Sequence, residues 1–140
     1  MAFKRVKGGD RGFVERTTAS IAWTVGDLAQ YSRTAGTVTA ATSSTLMEDV
    51  AGICVEATTT AATTVLLQEI QDGDEYIVDT TNNPVVAEKY QKMVVGANAY
   101  TINNTHTDSD APEALFMQTD VVGALADKKI LGRFVTRADN

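Results

Sequence analysis

From Thr17 onward, apolar and polar positions alternate in short stretches. Ser20–Val25 places Ile21, Trp23 and Val25 on one side and Ser20, Ala22 and Thr24 on the other. Leu28–Ser32 resumes after Gly26 and Asp27, and the segment Arg33 to Gly36 turns into Thr37–Ala41. Val50–Thr58 sets Ala51, Ile53, Val55 and Ala57 against Gly52, Cys54 and Glu56. Alternation with a period of two predicts strands with one buried face. The stretches are rich in Thr and Val, whose β-branched side chains suit a pleated, half-buried surface better than a helix.

The clearest local feature is a hairpin signal. Thr63–Ile70 and Glu75–Thr80 flank Gln71, Asp72, Gly73 and Asp74, and Asp-Gly favours tight turns because both positions tolerate positive φ. Pro84 opens a stretch in which Val86, Tyr90 and Met93 recur at helical spacing, which predicts a short helix near 84–92. Residues 103–112 form a polar loop, and Leu115–Val122 and Lys129–Arg137 read as closing strands. About eight short strands with frequent turn signals predict an all-β fold, a small barrel or sandwich of short antiparallel strands with at most one short helix. Periodicity does not separate barrel from sandwich.

Length and charge change this picture at one end only. A chain of 140 residues suits a single domain. Residues 1–16 carry Lys4, Arg5, Lys7, Arg11 and Arg16 against Asp10 and Glu15, whereas the rest holds seven bases and sixteen acids. The acidic body repels phosphate backbones, so nucleic acid is not an expected partner. The basic leader is punctuated by Gly8, Gly9 and Gly12 and has few apolar side chains, so it reads as an extended arm preceding a single β domain over 17–140. It lacks the apolar h-region of a signal peptide. No segment approaches the roughly 18 apolar residues of a membrane span, so no membrane is expected as a partner.

Catalytic patterns are sparse. His106 is the one histidine, which removes His-based zinc clusters within a chain. His106, Asp108 and Ser109 are the residue types of a triad, yet they crowd one polar loop without an indicated oxyanion hole. Asp108, Asp110 and Glu113 depart from calcium-loop spacing, and Asp72, Asp74 and Glu75 read as solvated turn acids. Cys54 sits in an apolar run and reads as a buried, inert thiol. Asn103, Asn104 and Thr105 fit the glycosylation sequon, which carries no weight without a secretory context. Trp23 and the four tyrosines read as core rather than as a sugar-binding platform. The expectation is a protein without catalytic residues, metal or cofactor.

One series of segments is similar to a known family. Asp27-Leu-Ala-Gln-Tyr31, Ala35-Gly-Thr-Val38, Val50-Ala-Gly-Ile-Cys-Val-Glu-Ala57, a Thr/Ala-rich link and Val65–Ile70 resemble head decoration proteins of tailed bacteriophages, the lambda-like family. The resemblance covers about residues 20–80, and the longer 81–140 half with its polar loop departs from it. It implies a structural cement protein that binds the outside of a phage capsid and stabilises the shell. The implied partner is the major capsid protein, with homotrimers at local three-fold positions. The implied location is the virion exterior, after assembly in the host cytoplasm. A family arm that orders on the shell matches the basic leader, whose expected capsid-binding residues are Phe3, Lys4, Arg5, Lys7, Arg11, Phe13 and Arg16. The alternative is another phage structural or carbohydrate-binding β module, such as a head fibre base or tail component.

Overall fold

The computed structural model describes residues 3–8, 12–105 and 111–135. Among them are eleven strands: β1 (Lys4–Lys7), β2 (Val14–Thr17), β3 (Leu28–Ser32), β4 (Thr37–Ala40), β5 (Val50–Cys54), β6 (Thr64–Gln68), β7 (Glu75–Thr80), β8 (Lys92–Val95), β9 (Thr101–Asn103), β10 (Phe116–Val121) and β11 (Lys129–Phe134). The helical content is three single 3₁₀ turns, Met47–Asp49, Val86–Glu88 and Leu125–Asp127. The fold is all-β.

Strands β7, β11, β10, β8 and β9 close into a small barrel, because β9 returns to pair in parallel with the end of β7. All other pairs in it are antiparallel. β1 occupies the remaining length of the same β7 edge, with Lys4 opposite Ile77 and Arg5 opposite Tyr76. The second sheet runs β2-β6-β5-β3-β4, all antiparallel. It curls until its two outer strands meet at one parallel bridge, Thr18 to Val38, where the Ala19 N–H donates to the Val38 carbonyl over 2.9 Å.

Each unit has its own core. Tyr76, Val78, Met93, Ile102, Phe116, Ile130 and Phe134 fill the barrel. Trp23, Ala29, Val38, Ala51, Cys54, Val65 and Leu67 fill the curled sheet. Leu28 and Ile53 of the curled sheet point the other way, into the barrel core. β3 and β5 are therefore buried on both faces. A bulge in β5 makes this possible. Ala29 faces Gly52 and Gln30 faces Val50, so Ala51 is an extra residue in the ladder. Simple alternation predicts Ala51 and Ile53 on one face; the bulge instead groups Ala51 with Cys54, and Val50 with Ile53. Gly52 adopts φ +145°, and a Cβ there would lie 2.6 Å from the Gln68 carbonyl oxygen.

Four other expectations need correction. β6 and β7 do not form a hairpin. The turn itself is present, with Asp74 N–H donating to the Gln71 carbonyl and Gly73 at φ +89°. The chain nonetheless leaves the curled sheet at β6 and enters the barrel at β7, because Val65 and Leu67 belong to one core and Tyr76 and Val78 to the other. Ser20–Val25 is not a strand: Thr24 N–H donates to the Asp27 carboxylate over 2.9 Å, and Trp23 bonds through its N–H and carbonyl to Thr58 alone rather than in a ladder. Trp23 is still buried, while Val25 is exposed. No helix forms at 84–92. Tyr90 takes φ +71° and its N–H donates to the Gln118 carbonyl over 2.7 Å, which ends the 3₁₀ turn and sends Met93 into β8.

The fourth correction concerns the leader. Its described parts are strands of both sheets, not an arm outside them. Phe3 is 3% exposed and packs among Tyr76, Phe116 and Phe134, with ring centroids 5.3 Å from Phe134 and 5.5 Å from Phe116. One buried phenyl ring contributes roughly 1.5–3 kcal/mol, enough to hold a short strand. The paired closing strands β10 and β11 match the expectation, with Phe116 opposite Phe134.

Two substitutions test this packing by equilibrium unfolding. Trp23→Ala is expected to cost on the order of 3–5 kcal/mol through the cavity it leaves. Gly52→Ala is expected to cost roughly 2–4 kcal/mol, because it combines a strained φ with overlap on the β6 backbone. A loss below about 1 kcal/mol for Gly52→Ala would show that the bulge relaxes freely.

Candidate functional site

The expected binding residues of the leader are dispersed by the fold. Phe3 is consumed by the barrel core. Lys4 and Lys7 are exposed on β1, and Arg5 is half-buried with a buried Nη1 that has no hydrogen-bond partner. Arg11 lies outside the described residues. Phe13 is 53% exposed immediately before β2. Arg16, on β2, reaches a groove at the open end of the curled sheet.

That groove exists because the curled sheet closes at only one bridge. β2 and β4 touch at Thr18 and Val38 and part beyond it, leaving a cleft of about 310 Å³. Arg16 and Thr17 form one wall. Tyr31, Ser32, Arg33 and Thr37, from the β3–β4 hairpin, form the other. Val14, Tyr31 and Ile21 pack on the Trp23 core beneath. Trp23 is fixed there by an indole N–H that donates to Thr18 Oγ1 over 2.7 Å.

Among the described residues, the lining of the groove carries two arginines and no carboxylate. Arg33 is held in place: its Nε donates to Asp49 Oδ1 over 2.8 Å, one terminal nitrogen donates to the Glu48 carbonyl, and its guanidinium lies 5.8 Å from the Tyr31 ring centroid. Arg16 makes only a long 3.4 Å contact with the Glu15 carbonyl, so among the described residues its charge has no carboxylate partner. Sequence spacing gives no hint that Arg16 and Arg33 share a cleft. Only the β2–β4 approach brings them together.

Other candidates resolve differently. Asp27 is buried at the junction of the sheets. Its Oδ2 accepts from Thr24 N–H, its Oδ1 is unpartnered, and burial raises its pKa against the smaller lowering effect of that hydrogen bond. Cys54 is buried, as expected, and its thiol donates to the Glu56 carbonyl over 3.2 Å. Burial foremost, with Asp27 and Glu56 nearby, raises its pKa, which disfavours the reactive thiolate. Asp74 is not a solvated turn acid: it is 3% exposed and accepts from Gln71 N–H. Asn104 of the sequon is buried and bonded to the backbone of Asn82 and Asn83. His106, Asp108, Ser109 and Asp110 lie outside the described residues. Among those described, no group of three or more His, Cys, Asp or Glu could hold a metal ion. No helix among them is long and apolar enough to cross a membrane.

Trp23 and Tyr76 are buried in the core as expected, whereas Tyr90 and Tyr100, also expected there, are exposed. A second surface feature was not legible in the sequence: Val85, Val86 and Tyr90 are exposed together on one segment, with the Lys89 ammonium 5.3 Å from the Tyr90 ring centroid. No protein-family model matches the chain, and no curated protein matches it.

The Asp27 carboxyl gives a pH prediction with a definite sign. Because its folded pKa is raised, the folded state binds the proton more tightly than the unfolded chain does. Its contribution to stability is therefore fullest below the unfolded value and declines as pH rises through the folded one. The stability of the wild type relative to Asp27→Asn is expected to be greatest in acid and to shrink toward neutrality. Urea unfolding of both proteins between about pH 4 and about pH 8 checks this. A wild-type advantage that grows with pH would contradict the burial argument.

Proposed function

We propose that this protein is a structural, non-catalytic virion component that docks on the outside of a tailed-phage capsid and stabilises the shell. Its partner is the major capsid protein, and it acts as a homotrimer on the shell. The observation that carries this reading is the N-terminal segment: Phe13 stands exposed immediately before β2, whose Arg16 lines the cationic groove, on a chain whose remaining body is acidic. An exposed aromatic and an arginine on one short segment are residue types enriched among interface anchors. The resemblance of residues 20–80 to decoration proteins supports the same reading. The segments that carry it supply β3, β4, β5 and β6 of the curled sheet.

The docking surface is narrower than the sequence suggests. Phe3 and the strand pairing of β1 are used internally, which leaves Phe13, Arg16 and the exposed Lys4 and Lys7 for a partner. Deleting residues 1–16 would remove Phe3 and two strands, so truncation confounds folding with binding. Point substitutions avoid this.

Phe13→Ser is expected to change folding stability by no more than about 0.5 kcal/mol, since the ring is solvated. It is expected to weaken co-sedimentation with undecorated shells. Lys4→Ser with Lys7→Ser should weaken attachment only modestly, at roughly 0.2–1 kcal/mol per exposed charge, and flatten its salt dependence. Undiminished binding by Phe13→Ser would remove this face from the mechanism.

A further inference from the structure

The groove of the curled sheet has a geometry that points to the chemistry of what it accepts. In the β2–β6 ladder, Thr18 N–H donates to the Thr63 carbonyl over 3.0 Å and Arg16 faces Val65. Antiparallel pairing alternates the direction of backbone groups, so Arg16 bonds toward β6 while the Glu15 N–H and carbonyl face the opposite edge. The Thr17 backbone faces the same way as that of Glu15, and Thr17 lines the cleft where β2 separates from β4. The side-chain alternation places Arg16 on the groove side, on the same face as Val14, and Glu15 on the other. An open strand edge, the Arg16 side chain and the Tyr31–Arg33 wall thus meet at one place.

We infer that this groove accepts an extended acidic peptide segment of the docking partner, which adds as a strand along the free edge of β2. This rests on the reading of the protein as a docking module. Main-chain hydrogen bonds to the Glu15 edge supply attachment, as in other strand additions, and pockets for alternate side chains supply selectivity. Arg16, without a carboxylate of its own, and Arg33, pre-oriented by Asp49 and Tyr31, are the partners for the segment's carboxylates. Because side chains of an added strand alternate, acids are favoured at every second position. The cleft of about 310 Å³ is at the small end of ligand pockets, which suits a few residues of extended chain rather than a folded element.

The test uses the full-length protein and an array of blocked Thr/Val peptides of about eight residues, with Asp or Glu placed singly and at alternate positions. Neutral Asn/Gln counterparts, and versions N-methylated on alternate backbone nitrogens, complete the array. Binding is expected to favour peptides with alternate acids by about tenfold over their neutral counterparts. That preference should disappear with Arg16→Gln and with Arg33→Gln, and binding should be lost on N-methylation. Thermal unfolding of each variant separates loss of the groove from loss of the fold. Arg16→Gln suffices if Arg33→Gln disturbs the Asp49 contact. No acidic preference, or a preference unchanged in Arg16→Gln, overturns the proposal. Full displacement of the peptide by free glutarate at equal concentration also overturns it, since the site then binds a small dicarboxylate. Acidic preference in the array, with no co-sedimentation of the wild type on any shell, supports the groove and removes the capsid as partner.

Discussion

The constraint on which the rest of the molecule depends is the bulge at Ala51 and Gly52. One extra residue in β5 turns Ile53 and Val50 toward the barrel while Ala51 and Cys54 stay with Trp23. Without it, strict alternation would set Ala51 and Ile53 on one face against Val50, Gly52 and Cys54 on the other, and Ile53 and Cys54 would not be divided between the two cores as they are. With it, β3 and β5 serve two cores at once. The close approach of the β6 carbonyl at Gln68 explains why the residue beside the bulge has no side chain.

A sheet buried on both faces in its middle interacts through its edges. β6 and β5 are paired on both sides, so the outer strands β2 and β4 carry what is left. They meet at a single bridge, and the cleft beyond it is the direct consequence of that partial closure. The N-terminal segment contributes to both units: β1 completes the open part of the β7 edge, and β2 forms one wall of the cleft. Phe3 in the barrel and Val14 on the Trp23 core hold the two strands in place, which leaves Phe13 between them in solvent.

What the sequence disclosed was local. The strands at Leu28–Ser32, Thr37–Ala40 and Val50–Cys54, the closing pair β10 and β11, and the burial of Trp23 all follow from alternation and residue type. Partner choice did not follow. The turn at Asp72 and Gly73 is legible because a glycine supplies positive φ, which Gly73 takes and Asp72 does not, but whether β6 pairs with β7 depends on which core each strand fills. β8 and β9 are not legible in the sequence, because β8 is buried along its whole length and shows no alternation, and β9 is only three residues long. Phe3 and Arg16 belonged to one basic segment in the sequence. Folding sends the first into a core and the second into a groove, and only long-range pairing decides that.

The central functional claim is that the protein docks through the Phe13–Thr17 strand edge and the facing β3–β4 hairpin. Amide hydrogen exchange of the protein, free and bound to undecorated shells, tests it most directly. New protection is expected at the Glu15 and Thr17 amides and in the 31–38 hairpin, with little change in β10 and β11. Protection confined to the exposed Val85, Val86 and Tyr90 segment, with the groove amides exchanging as in the free protein, would contradict it.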